Sequence, residues 1–556
     1  MNPEEKIEWR LGWLAAAIGF AAFAVVLLNG FVYDDYYFVV DNVWIRDWHN
    51  WWPLISDWRT SVRQEDVFTG FWRPLRNLDY MLDYQAAGLN PAWFHFENLV
   101  WHGVATLGLY GLFRRLRISA PAAFFAAAFF ATHPAQTESV AWVKERDGLL
   151  CAAALFWSLY HAAGDRTRSA IVSLLLLIAA LLCKETAVIF TPLCAGVLWL
   201  RWKQTGSTHR ARAATLLGGG VALTIGFLFL RSAIIGITAQ QKDPLGGTLL
   251  ITVWTMCGVF ARYLWIIVNP RSMELTYTWI APPASVELLP VFGVLLLCTL
   301  IFVAIKCAKN LPTVSLGIFW FLAALIPFAN VVPMMQWMAV RFLYIPIAGI
   351  AIVLAMSAER ALAGKRIRYR SLAAFYAVGA LLIVVLAFSS AMESLHWRSN
   401  ATLWGRAYEK RPDDPAIMAA YADHLVDLNR FQEALDVLSH FPYEAQPYPE
   451  PTAWKAKARA LDGLGRGAEA LAVAQDAAER FPSRPAAALS LAVMESHYGD
   501  PTRAAAAWER LLQLERFHRG AMEQLIVYYD KHEMKDRADE LRGRLKRMET
   551  LPREQW

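Results

Sequence analysis

The stretch LGWLAAAIGFAAFAVVLL, residues 11–28, carries no charge, and after Asn29, Gly30 and Phe31 it is followed by Val32-Tyr33-Asp34-Asp35-Tyr36. As a helix it reaches about 27 Å at ~1.5 Å per residue, close to the ~30 Å of a bilayer core. An acidic pair placed where a first span leaves the membrane lets a carboxylate act as a base on an activated group held by a lipid at the interface. The plainer reading is a pair of aspartates capping a helix.

Further apolar runs repeat the pattern along the 556 residues, 56% of them hydrophobic, and the runs stop near residue 391. This composition excludes a soluble domain and indicates an all-α polytopic membrane protein. Twenty-four Trp and nineteen Tyr fit many interfacial helix ends. The six cysteines, at 151, 183, 194, 257, 298 and 307, lie in or beside apolar runs and imply no disulfide framework. The net charge of +6 forms no basic, aromatic-interleaved patch, so nucleic acid is not an expected partner. The N-terminal segment shows no small-residue cleavage site ahead of Asp34 and reads as an uncleaved anchor.

Apolar segments occupy roughly 11–29, 94–113, 119–133, 148–163, 169–183, 185–200, 213–231, 249–268, 286–305, 313–328, 342–358 and 371–391. Basic clusters orient them, since Lys and Arg stay on the cytoplasmic side. Arg114/Arg115/Arg117, Arg166/Arg168, Arg201/Lys203/Arg210/Arg212, Lys306/Lys309 and Arg360/Lys365/Arg366/Arg368/Arg370 are such clusters. Twelve crossings cannot satisfy all of them. One segment between 213 and 305 therefore fails to cross, and 249–268 is the choice because Arg262 interrupts it and a polar run, 269–274, follows. Eleven spans result, with the N-terminus inside and the C-terminus outside, in a cytoplasmic membrane of bacterial type.

The loop 30–93 is then external. Asp41 is positioned to cap a helix whose Trp44, Trp48, Trp51, Trp52 and Ile55 share one face, as in a helix lying on the membrane surface. A stripe packed against the bundle is the other reading. Beyond Ser390 the pattern changes to repeats. Pro415, Pro451 and Pro485 are 36 and 34 residues apart, and Ala434, Ala470, Ala504 and Ala538 recur at 36, 34 and 34. Ala422, Ala458 and Ala492 follow the same step. Small residues at fixed places in a helix–turn–helix unit of this length mark a tetratricopeptide (TPR) α-solenoid of about four repeats. The expected division is a transmembrane domain over 1–391, a linker and capping helix over 392–414 (with Leu403 and Trp404), and repeats over 415–556.

Ionisable residues collect at the expected outer ends of spans: Asp34 and Asp35; His133 and Glu138, leading to Lys144, Glu145, Arg146 and Asp147; Lys184 and Glu185; Arg341 and Tyr344. Each alone has a plain explanation, a snorkelling end or a local ion pair. Together they set carboxylates beside cations at one membrane face, as transfer with a phosphate leaving group requires. His95, Asn98 and His102 share a helix face, but the two histidines are ~10.5 Å apart along the axis, too far to ligate one metal. Polar packing is the favoured role. There is no phosphate-binding P-loop, dinucleotide fingerprint or HExxH motif.

The ordered set is Tyr33-Asp34-Asp35 after a first span, Phe71-Trp72-Arg73-Pro74-Leu75 to Asp83-Tyr84, His95-x-x-Asn98-x-x-x-His102, His133-Pro134 to Glu138, and Arg341-x-x-Tyr344-x-Pro346 ahead of the repeats. It resembles the transmembrane and TPR-repeat O-mannosyltransferases of the GT-C glycosyltransferase superfamily. Val340 and Ile347 depart from that pattern, where an acidic residue and Ser are common. The resemblance implies inverting transfer of a mannose-like hexose from a polyprenyl-phosphate donor, with Asp34 and Asp35 as the catalytic centre. Arg146, Lys184 and Arg341 are expected to balance the phosphate, and Arg73, His95, His102, His133, Glu138, Glu185 and Tyr344 to bind substrate or support the site. No metal site or cofactor is implied, a need for a divalent cation stays open, and the repeats are expected to receive a polypeptide acceptor. A lipid or polysaccharide acceptor, a transporter and a non-catalytic scaffold remain alternatives.

Overall fold

The computed structural model describes residues 3–550 apart from 62–70, 207–209, 237–245, 278–279, 281–286, 335, 363–368 and 445–450. Among the described residues it is helical throughout, without strands. Two compact units divide between Ser399 and Asn400.

The first unit contains α1 (Pro3–Phe23), α2 (Trp51–Ser56), α3 (Pro74–Ala87), α4 (Pro91–Arg115), α5 (Ala120–Thr132), α6 (Thr137–Ala141), α7 (Arg146–Ala162) and α8 (Thr167–Cys183). It continues with α9 (Phe190–Thr205), α10 (Arg210–Ile235), α11 (Leu249–Val268), α12 (Leu288–Asn310), α13 (Pro312–Leu325), α14 (Ile347–Leu362) and α15 (Tyr369–Leu395). Every apolar segment read from the sequence holds one of these helices. Local chemistry starts and stops them: Asn90 accepts from Ala92 N at 3.1 Å ahead of Pro91, and Gly206, at φ +69°, closes α9. Packing then depends on small residues. A Cβ on Gly317 of α13 would meet the Gly349 carbonyl of α14 at 2.7 Å, so these two helices cross with their backbones nearly touching.

Arg115, Arg201 and Arg212, all expected in the cytoplasm, gather at one end of the bundle. Arg115 donates to Tyr160 O (3.1 Å), Arg212 to Ala162 O (2.6 Å), and Arg201 pairs with Asp165 (2.9 Å). The opposite end carries Asp34. The Lys365, Arg366 and Arg368 cluster lies outside the described residues. Five helices are long and apolar enough to cross a membrane among the described residues, α11 among them. Phe227 of α10 stacks on Trp72, and Ile267 O at the end of α11 accepts from His133 Nε2 at 3.0 Å, so the C-terminal parts of both helices lie toward the Asp34 end.

The expected surface helix from Asp41 is not one helix. The stretch is broken into a π turn (Tyr36–Val40), two 3₁₀ turns (Trp44–Arg46 and Trp48–Asn50) and the short α2. The cause is Asp47, whose extended backbone interrupts the run while its carboxylate accepts from His49 N and starts a new turn. Trp48, Trp51 and Trp52 are exposed, whereas Trp44 packs against a buried cluster of Phe38, Ile45, Leu54 and Tyr80.

The second unit contains α16 (Asn400–Lys410), α17 (Pro415–Asp427), α18 (Phe431–Leu438), α19 (Thr452–Gly463), α20 (Gly467–Arg480), α21 (Pro485–Tyr498), α22 (Pro501–Leu514), α23 (Arg519–Lys531) and α24 (Lys535–Thr550). The recurring alanines 422, 434, 458, 470, 492, 504 and 538 are all buried between helices. Asn429, Gly465 and Glu533 take the left-handed conformation in corresponding turns, so the repeat extends to the backbone. Leu403 and Trp404 are buried in α16 within this unit.

Candidate active site

The segment after α1 is fixed at both edges before it reaches the acidic pair. Asn29 donates to Ser394 O (3.1 Å) and Gly30 N to Arg398 O (3.0 Å). Tyr33 then adopts φ +53°, a conformation unusual for a bulky residue, and its ring stacks on Trp142 at 5.3 Å. The turn sends the two aspartates into different surroundings. Asp35 is fully buried and accepts from Val32 N (3.0 Å) and Lys144 N (2.8 Å). Burial outweighs both amide bonds and pushes its carboxyl up to about 8. Asp34 is half-buried, and its carboxylate makes no hydrogen bond or ion pair with any described residue. Burial raises its pKa above the ordinary aspartate value, against the pull of the Lys144 and Arg341 cations.

Around the pair lies a network of buried charges. Glu145 is its hub, accepting from Lys144 Nζ (2.9 Å) and Lys184 Nζ (2.6 Å), with Arg341 Nε at 3.4 Å. Lys184 also reaches Asp147 (2.9 Å), which pairs with Arg73; Arg73 in turn binds Glu185 (2.8 Å). Arg341 is further held by Glu138, through both its side chain and its own N–H (2.9 Å). Burial alone would raise the Glu145 carboxyl, but Lys144, Lys184 and Arg341 hold it well below the usual range. The Lys144 ammonium is lowered by burial in spite of Glu145, and lies 4.7 Å from the Trp142 ring centre.

Arg73, Glu138, Lys184, Glu185 and Arg341 are thus brought together by charge. Arg146 is not. Its guanidinium turns away to Asp79, to Asp83 (2.9 Å), to Asn98 and to Phe94 O (2.6 Å). The histidines are tied by backbone and hydroxyl partners. His102 accepts from Tyr344 Oη at Nδ1 (2.7 Å) and donates from Nε2 to Ala131 O (3.0 Å). His133 accepts from Ala135 N and donates to Ile267 O, and His95 donates to Gly30 O at 3.3 Å. Among the described residues no group of three or more potential metal ligands forms.

Trp142 escaped the sequence reading altogether, whereas Tyr33, which makes the left-handed turn, and Lys144, which touches both aspartates' surroundings, stood in the quoted motif and charge run without a role of their own. Arg76, which stands 3.5 Å from Asp147, was likewise missed by the sequence reading.

No family model matches the chain. Over 185 residues it is 34% identical to the protein O-mannosyl-transferase Tmtc1 of Drosophila melanogaster, a match covering 32% of this chain and 21% of that protein. Over 490 residues it is 25% identical to protein O-mannosyl-transferase TMTC4 of Mus musculus, covering 75% of this chain and 64% of that one. The chain thus spans less than two thirds of the length of these relatives. Both relatives are named protein O-mannosyltransferases, the family that the motifs resemble. Among solved structures, the apo oligosaccharyltransferase of Archaeoglobus fulgidus is a distant likeness, with TM-score 0.41 and 14% identity, covering 91% of this chain and 68% of that one.

Proposed function

We propose that the chain is a membrane glycosyltransferase that moves a mannose-like hexose from a polyprenyl-phosphate donor to a hydroxyl of an exported polypeptide, with inversion. The observation that carries the reading is the unequal treatment of two adjacent carboxylates. Asp35 is clamped by two amides, while the Asp34 carboxylate is partly open and has no hydrogen-bond partner among the described residues, beside two cations. The protein O-mannosyltransferase relatives support the reaction class. In this reading Asp34 takes the proton of a Ser or Thr hydroxyl as its oxygen bonds to the anomeric carbon. The bond from that carbon to the phosphate oxygen breaks, and the polyprenyl phosphate leaves with the electron pair. Base and leaving group stand on opposite faces of the sugar, so configuration inverts.

Arg341 and Lys144, the cations acting on Asp34, are the first choice to meet the departing phosphate, with Lys184 behind them through Glu145. Arg146 is left out of that role, because Asp79, Asp83 and Asn98 already engage it. Asp34 and the helix-pair repeats of the second unit are assigned to the outer side of a cytoplasmic membrane, where the repeats would hold the acceptor as TPR arrays do. Purified protein incubated with a panel of polyprenyl-phosphate sugars and Ser/Thr peptides tests this. Release of polyprenyl phosphate coupled to a hexose mass increase on peptide is expected with one donor of the panel. Transfer only from a nucleotide sugar would overturn the donor assignment.

A further inference from the structure

The turn that clamps Asp35 is itself held, and the holders lie outside the charge network. Asn98, in α4, donates from Nδ2 to the carbonyls of Val140 (3.0 Å) and Trp142 (3.1 Å). Tyr80, in α3, donates its hydroxyl to the carbonyl of Val143 (2.8 Å). Three carbonyls just before Lys144 are thus fixed by two side chains, and the next amide, Lys144 N–H, is the one that binds Asp35. Asn98 is oriented in turn: its Oδ1 accepts from Arg146 Nε, and Arg146 is gripped by Asp79, Asp83 and Phe94 O. With Oδ1 fixed as the acceptor, Nδ2 has to be the donor to the turn. Asn98, Tyr80 and Arg146 are each buried to within 1% of completely.

We propose that Asn98, aimed by Arg146 and seconded by Tyr80, is a positioning residue that sets Asp34 through the Lys144 amide and Asp35. The path is continuous, from α4 to the 140–143 turn, to Asp35, to the left-handed Tyr33 and its neighbour Asp34. Asn98 touches neither aspartate. A displacement of about 1 Å at a reacting group costs on the order of 10²-fold in rate, so slackening this turn acts on turnover. The inference rests on Asp34 being the base.

The test is a double-mutant cycle on the full-length enzyme with Asn98→Ala, Asp34→Asn and both together. Asn98→Ala is expected to lower kcat about 10- to 100-fold per folded molecule, with the donor KM changed less than about threefold. In the Asp34→Asn background the same substitution should lower the residual rate by no more than about twofold, because the group it aims is already gone. Equal losses in both backgrounds would overturn the proposal. An Asp34→Asn enzyme at wild-type turnover would instead sink the reading of Asp34 as base, a distinguishable failure. Should Asn98→Ala not fold, Tyr80→Phe removes only one hydroxyl bond at nearly constant volume. It should show the same non-additivity on a smaller loss, and full wild-type kcat in that variant would count against the brace.

Discussion

At Asp34 two opposing influences meet. Burial raises the carboxyl and the cations of Lys144 and Arg341 lower it, leaving it above the ordinary aspartate value. A base must be ionised to work, so activity is lost as pH falls through its pKa, and here that loss begins at a higher pH than for a solvated aspartate. Lys144→Met removes one lowering cation while keeping the backbone N–H that binds Asp35. The acid limb of kcat/KM should therefore move to still higher pH, as read from a pH–rate profile, and an unmoved limb would exclude Lys144 from the field of the base. The pair itself was legible from its place after a first span. The division of labour within it was not, because the amide that selects Asp35 comes from a residue 109 positions away. Tyr80 and Trp142, and the bracing contacts of Asn98, were hidden for the same reason: each acts through contacts distant in sequence.

Among the elements, hydrophobic runs were enough to place each bundle helix, since burial and backbone hydrogen bonding both demand helix in an apolar solvent. The tryptophan stripe misled because its spacing fits a helix while Asp47 breaks the backbone. α11 is long and apolar enough to cross a membrane, and its crossing decides between twelve spans and the expected eleven. Reporters fused after residues 365 and 556 measure this directly. The account expects the first in the cytoplasm and the second outside. Both on one side would mean that α15 does not cross, and the reverse pair would mean that α11 crosses.

For the whole molecule, the chain's division at 399/400 separates a charge-bearing bundle from an array of stacked helix pairs. Such arrays bind extended chains but have no means of activating a phosphate-linked sugar. Deleting residues 400–556 should therefore leave donor affinity intact and impair transfer to peptides. Donor binding and thermal stability measured together decide it: retained affinity with unchanged peptide transfer would contradict an acceptor role for the array. The central claim, however, is that Asp34 is the base of a hexosyl transfer. Its most direct measurement is the single-turnover rate of hexose transfer from polyprenyl-phosphate mannose to a Ser/Thr peptide, for wild type, Asp34→Asn and Asp35→Asn, each checked for folding. The account predicts a loss of ~10²- to 10⁴-fold for Asp34→Asn with donor still bound, and a smaller loss for Asp35→Asn. Wild-type transfer by a folded Asp34→Asn enzyme would contradict it.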